Sequence, residues 1–156
     1  GSSGSVIPFW LNCNKIKKAL PLTDITMTRL MLNHDEVSEI IEECIKEAKN
    51  NNGGFVLSKI MKKVELIRLA KSISNEINIV GLRPGEELYE DLISESELEF
   101  TELKGNYIFL RNEINQNKSS RLKNSISSKD ALVMTDQEIL EMIEIVKKNS
   151  YLNEYY

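Results

Sequence analysis

The feature that most constrains this chain is an apolar stripe of helical period in residues 35–49. Val37, Ile40, Ile41, Cys44, Ile45 and Ala48 recur at i, i+3, i+4, i+7, i+8 and i+11, which places them on one face of an α-helix. Glu36, Glu39, Glu42, Glu43, Lys46 and Lys49 take the other face, and that acidic cluster reads as a solvated surface rather than a metal site. Cys44 lies on the apolar side, so a buried free thiol is expected there. The run Asn50-Asn51-Asn52-Gly53-Gly54 favours left-handed backbone and stops the helix.

The same reading extends to the rest of the chain. Val6, Trp10 and Cys13, with Phe9 beside them, predict a helix over 6–18 with its aromatic pair in the core. Pro21 to Asp24 reads as extended. His34, the single histidine, reads as a neighbour of a helix cap. Phe55-Val56-Leu57 reads as a buried strand. Leu66, Leu69, Ala70 and Ile73 predict a helix over 63–75, and Ile77 to Leu82 a further strand. Two strands separated by one helix suggest a parallel βαβ rhythm. Residues 106–111 are β-prone, and 112–130 read as a long polar loop. Thr135-Asp136-Gln137-Glu138 is a capping box, and Ile139, Met142, Ile143 and Val146 continue it as a helix over 136–148.

Bulk properties exclude several classes. The 156 residues suffice for a real core, and 41% hydrophobic with 28% charged residues argue against wholesale disorder. Net charge is -4 and lysines occur only as scattered pairs, so no nucleic-acid partner is expected. No apolar segment is long enough to span a bilayer, so no membrane partner is expected either. Cys13 and Cys44 have no metal-ligand spacing and form no disulfide framework. A reducing, cytoplasmic location follows from these features.

One stretch invites chemistry. Gly81-Leu82-Arg83-Pro84-Gly85-Glu86-Glu87-Leu88-Tyr89-Glu90-Asp91-Leu92 follows an apolar strand with a Pro-Gly turn, and a helix is predicted from Glu86. Arginine offers a planar fork of donors to phosphate, and helix N-termini favour anions. The competing reading is a tight turn with a solvent-exposed ion pair. Arg29, inside an apolar run, is either a snorkelling surface residue or a positioned donor. No Gly-x-Gly-x-x-Gly, Walker A loop, zinc set, nucleophile elbow or Tyr-x-x-x-Lys is present.

Taken together, three ordered segments resemble one family. Gly81-Leu82-Arg83-Pro84-Gly85-Glu86-Glu87-Leu88-Tyr89-Glu90 is similar to the Gly-Ile-Arg-Pro-Gly-Glu-Lys-Leu-His-Glu of UDP-N-acetylglucosamine 4,6-dehydratases. Thr23-Asp24-Ile25-Thr26-Met27-Thr28-Arg29 resembles their Thr-Asp-x-x-Met-Thr-Arg. Gly1-Ser2-Ser3-Gly4-Ser5-Val6-Ile7-Pro8-Phe9 resembles their Gly-Ser-Arg-Gly-Ser-Val-x-Pro-Phe. These are extended short-chain dehydrogenase/reductases of polysaccharide and flagellin-sugar pathways. Gly1 to Ser5 enters the family segment in register and reads as native, although vector scars use the same residues.

The resemblance implies an α/β fold: the C-terminal substrate-binding part of such an enzyme, with short parallel strands and amphipathic helices and without the Rossmann core. It divides the chain into a nucleotide-sugar-binding region over 1–111, a polar loop over 112–134, and a C-terminal helix and tail over 135–156. It implies UDP-sugar contacts from Arg83 to the diphosphate, from Glu86 to the ribose hydroxyls, and from Arg29 on the phosphate side. Ser3, Glu87 and Tyr89 depart from the family's Arg, Lys and His, which weakens the expected affinity. The full-length family uses NADP; this chain carries no cofactor motif and no catalytic pair, so lyase activity is expected only with an N-terminal NADP-binding half. The implied partners are a UDP-sugar and that Rossmann half or a second copy of the chain. The alternative is a non-catalytic UDP-sugar-binding or protein-interaction module, with apolar surface expected along 6–11 and 27–32.

Overall fold

The computed structural model describes residues 5–50 and 54–152; the Gly-Ser opening through Gly4 lies outside them. The elements are α1 (Val6–Lys15), β1 (Leu20–Leu22), β2 (Thr28–Met31), α2 (His34–Asn50), β3 (Phe55–Lys59), β4 (Lys62–Glu65), α3 (Leu66–Lys71), β5 (Ile77–Ile79), β6 (Asp91–Ile93), β7 (Thr101–Lys104), β8 (Tyr107–Arg111), β9 (Ile126–Ser127) and α4 (Asp136–Leu152). Short 3-10 turns cover Glu95–Phe100 and Lys118–Ser120. The fold is mixed α/β, with parallel and antiparallel strands. The chain divides into two compact units: Gly1–Arg29, Lys63–Tyr89 and Val133–Tyr156 form one, and Leu30–Lys62 with Glu90–Leu132 the other.

In the first unit β1 and β5 run parallel, with Leu20 opposite Ile77 and Leu22 opposite Ile79. Bonds from Val80 N–H to Leu22 C=O (2.9 Å) and Gly81 N–H to Thr23 C=O (3.1 Å) carry that pairing to the edge of the candidate site. Helices α1 and α3 pack on β1, and α4 packs on α1. Their buried faces are Ile7, Trp10 and Cys13; Leu66, Leu69 and Ala70; and Ile139, Ile143 and Val146. The predicted aromatic core is thus half realised: Trp10 is buried and donates Nε1–H to Pro21 C=O at 2.9 Å, whereas Phe9 is exposed. The capping box of α4 forms, with Thr135 N–H and Oγ1 on the Glu138 carboxylate at 2.8 and 3.0 Å.

In the second unit β3, β8 and β7 form an antiparallel sheet around buried Ile108 and Phe109. Helix α2 lies against β3, and β6 pairs with β9. A second reciprocal cap starts α2, with Asn33 N–H on Glu36 Oε2 and Glu36 N–H on Asn33 Oδ1, both at 2.8 Å.

The structure corrects three expectations. The strands at 55–57 and 77–82 are not parallel neighbours: β3 pairs antiparallel with β8, and the parallel partner of β5 is β1. The helix over 63–75 starts only at Leu66, because Lys62–Glu65 is drawn into a strand that pairs with β2 and buries Val64; tertiary pairing overrides local propensity. The stretch 112–130 is mostly irregular, with β9 within it, and is tethered where Asn115 Nδ2 donates to Thr101 C=O at 2.8 Å. No helix begins at Glu86. The carbonyls of Glu87 and Leu88, which a helix would need as acceptors, are instead taken by Arg29 and by Thr28 N–H.

Candidate nucleotide-sugar site

The three residues singled out by sequence fall in the first unit, on two segments: Thr23 to Arg29 after β1, and Gly81 to Leu88 after β5. Arg83-Pro84-Gly85-Glu86 is a turn closed by Glu86 N–H to Arg83 C=O at 3.0 Å. Pro84 presets the second position, and Gly85 has φ +80, as the third position of such a turn requires. A Cβ on Gly85 would meet nothing within 4 Å, so the demand for glycine there is conformational.

The Glu86 carboxylate is the knot of the turn. One oxygen accepts Thr23 Oγ1–H at 3.1 Å, and the other accepts Arg83 N–H at 3.2 Å. A carboxylate has about four lone-pair directions, so both oxygens keep room for a further donor. Arg83 is exposed, and its guanidinium has no hydrogen-bond or ion-pair partner among the described residues. The backbone beneath it is therefore fixed while the charged group points into solvent.

Arg29 behaves differently. Its guanidinium donates to the carbonyls of Thr28 (2.8 Å), Leu88 (3.2 Å) and Glu87 (2.9 Å). Of the two readings left open by sequence, the structure realises the positioned donor, directed at backbone. Asp24 accepts Thr26 N–H at 2.7 Å and Thr26 Oγ1–H at 2.6 Å, bending the segment between β1 and β2. The Thr26 hydroxyl and amide hold the Asp24 carboxyl below its ordinary value. Sequence reasoning did not single out Thr23 as a site residue, though it opens the motif that ends at Arg29.

Among the described residues, the parallel strand pair of the first unit does not fit a nicotinamide dinucleotide. Strand β1 leads into the Asp24–Thr26 bend and β5 into the Gly81 and Arg83–Glu86 turns; neither opens onto a glycine-rich loop and a helix N-terminus. Among the described residues no group of His, Cys, Asp and Glu could hold a metal, and no helix is long and apolar enough to cross a membrane.

Residues 1–112 match the family described as "Polysaccharide biosynthesis protein". The chain belongs to that family. A UDP-glucose 4-epimerase from Rickettsia bellii is 32% identical over 68% of this chain and 32% of its own length. A UDP-N-acetylglucosamine 4,6-dehydratase (inverting) from Campylobacter jejuni is 28% identical over 69% of the chain and 32% of its own length. A protein named as an uncharacterized membrane protein, from Methanocaldococcus jannaschii, is 30% identical over 97% of this chain and 47% of its own length. The X-ray structure of Pen from Bacillus thuringiensis shares the fold at TM-score 0.75 and 23% identity, over 92% of this chain and 46% of Pen. The chain thus spans at most about half the length of these relatives. The matched region is shared with a nucleotide-sugar epimerase and a nucleotide-sugar dehydratase.

Proposed function

We propose that this chain is the UDP-sugar-binding portion of a nucleotide-sugar 4,6-dehydratase of the UDP-N-acetylglucosamine type, serving polysaccharide or glycan biosynthesis in the cytoplasm. Arg83 contacts the diphosphate, Glu86 the ribose hydroxyls, and Arg29 supports the phosphate side. Oxidation at C4 and elimination across C5–C6 are lyase chemistry that requires NADP and acid–base groups; an N-terminal NADP-binding half supplies both, and the chain alone turns nothing over. The observation that carries this reading is the exposed, unpartnered guanidinium of Arg83 on a turn anchored by Glu86.

Calorimetry tests the binding step. UDP binds the chain, and Arg83→Ala weakens binding by about 1–3 kcal/mol, the scale of a hydrogen bond to a charged group. No heat at millimolar UDP rejects the reading. Mixing with an NADP-binding half then restores turnover of UDP-N-acetylglucosamine, with UDP-glucose as the comparison substrate; turnover of UDP-glucose alone assigns the chain to an epimerase instead.

The second reading, a protein-interaction module, is favoured by one observation. Val37, Ile41 and Ile45, on the apolar stripe of α2, are exposed.

A further inference from the structure

Sequence spacing offers the Arg83 guanidinium a partner that the folded chain withholds. The first and fourth residues of a turn lie within about 7 Å of each other, so side chains as long as those of Arg83 and Glu86 can meet. The ion pair does not form. Glu86 instead accepts Arg83 N–H with one oxygen at 3.2 Å and Thr23 Oγ1–H with the other at 3.1 Å. The Thr23 hydroxyl comes from a fixed point, because the carbonyls of Leu22 and Thr23 accept Val80 N–H and Gly81 N–H at 2.9 and 3.1 Å. Other carboxylates of the two segments leave Arg83 alone as well. Asp24 is engaged by Thr26, and the exposed Glu87 carboxylate has no partner among the described residues.

The relative strengths explain which partner wins. An exposed ion pair contributes little, whereas a hydrogen bond to a charged acceptor contributes more. The Thr23 hydroxyl therefore holds Glu86 against the pull of the guanidinium. Without that hydroxyl, the carboxylate turns to the nearest cation, which is Arg83. We propose that Thr23 is a positioning residue: its hydroxyl keeps the Glu86 carboxylate off the Arg83 guanidinium and leaves that charge available to a phosphate-bearing ligand. The ligand half of this inference rests on the proposed nucleotide site; the side-chain half does not. A self-paired arginine has to break its pair before it binds, so the apparent affinity falls in proportion to the fraction of molecules in which Arg83 is free.

Modification of Arg83 by phenylglyoxal, followed by peptide mass spectrometry, reads the guanidinium without any ligand. Thr23→Val slows modification about two- to sixfold, the range an exposed pair allows, and Thr23→Ala does the same; Thr23→Ser does not. Inorganic pyrophosphate presents phosphate oxygens but no ribose for Glu86 to meet, and Thr23→Val weakens its binding by the same about two- to sixfold. In a Glu86→Gln background Thr23→Val has neither effect, because glutamine still accepts the Arg83 amide but carries no charge; in a Glu87→Gln background both effects persist. A merely structural role for Thr23 would show in every background alike. Equal modification of Arg83 in wild type and Thr23→Val overturns the proposal. So does an effect that survives Glu86→Gln, or one abolished by Glu87→Gln. A wild type that binds neither pyrophosphate nor UDP, with the modification pattern as expected, refutes the nucleotide site and the ligand half of the inference. UDP binding without the modification pattern refutes the role of Thr23 and leaves the site standing.

Discussion

Thr23 and Glu86 stand 63 positions apart in the chain and 3.1 Å apart through Thr23 Oγ1 and Glu86 Oε1. Glu86 in turn holds the Arg83 amide, so the hydroxyl of Thr23 stabilises the turn that presents the arginine. Thr23→Val removes the donor and leaves similar volume. It is expected to cost about 1 kcal/mol of stability and to speed hydrogen exchange at the Arg83 amide, while Thr23→Ser restores both. Unchanged exchange at Arg83 in Thr23→Val contradicts the linkage.

Arg29 reaches three carbonyls with one planar group, and a lysine ammonium cannot reproduce that fork. Arg29→Lys should therefore lower the urea midpoint, with a loss of about 1–3 kcal/mol. A lysine variant with wild-type stability would show that the clamp on Glu87 and Leu88 is not needed.

The Glu47 carboxyl responds to pH in a definite direction. Burial pushes its pKa up, but hydrogen bonds and charge from Arg111 and Lys104 outweigh burial and hold it below the ordinary glutamate value. A depressed folded-state value means the carboxylate is stabilised by folding. That contribution is complete above the unfolded-state value and is lost as pH falls through the folded one. Glu47→Gln is expected to lose about 1–3 kcal/mol at neutral pH, with the difference from wild type shrinking as pH falls below the ordinary glutamate range. A constant difference across this range would remove the ion pairs as its source.

Adjacent residues of α4 provide a check on packing. Ile139 is fully buried and Leu140 is 47% exposed. Ile139→Ala should cost about 2–5 kcal/mol through lost contacts and a cavity, and Leu140→Ala about 0.5 kcal/mol or less. Equal losses in thermal melts would mean that α4 docks on another face.

The long helices were legible to within a few residues: 35–49 became His34–Asn50, and 136–148 became Asp136–Leu152. The Pro-Gly turn was legible for the same reason, since Pro84 and Gly85 carry their backbone preferences with them. The helix expected from Glu86 failed because Arg29, 58 positions from Glu87, takes a carbonyl the helix would have used. The buried thiol expected at Cys44 is only partly buried, because α2 turns its charged side to the sheet. Of the apolar surface expected along 6–11 and 27–32, Ile7, Trp10 and Met27 are buried, Phe9 is exposed, and Val6, Leu11, Leu30, Met31 and Leu32 are half-buried. The apolar stripe left outside lies on α2.

By itself the sequence determined where the two long helices lie, where the chain turns at Pro84-Gly85, and which family's motifs it carries. Those properties reside in residue type and near spacing, and neighbours within a turn or two suffice to express them. Tertiary structure alone decided that β5 pairs with β1, that Arg29 serves backbone carbonyls, that Glu86 joins Thr23 to Arg83, and which side of α2 meets water. Each depends on a partner far along the chain. Periodicity marks an apolar face, but only the folded chain decides what covers it; here Lys59, Lys104 and Arg111 claim the charged side of α2 first.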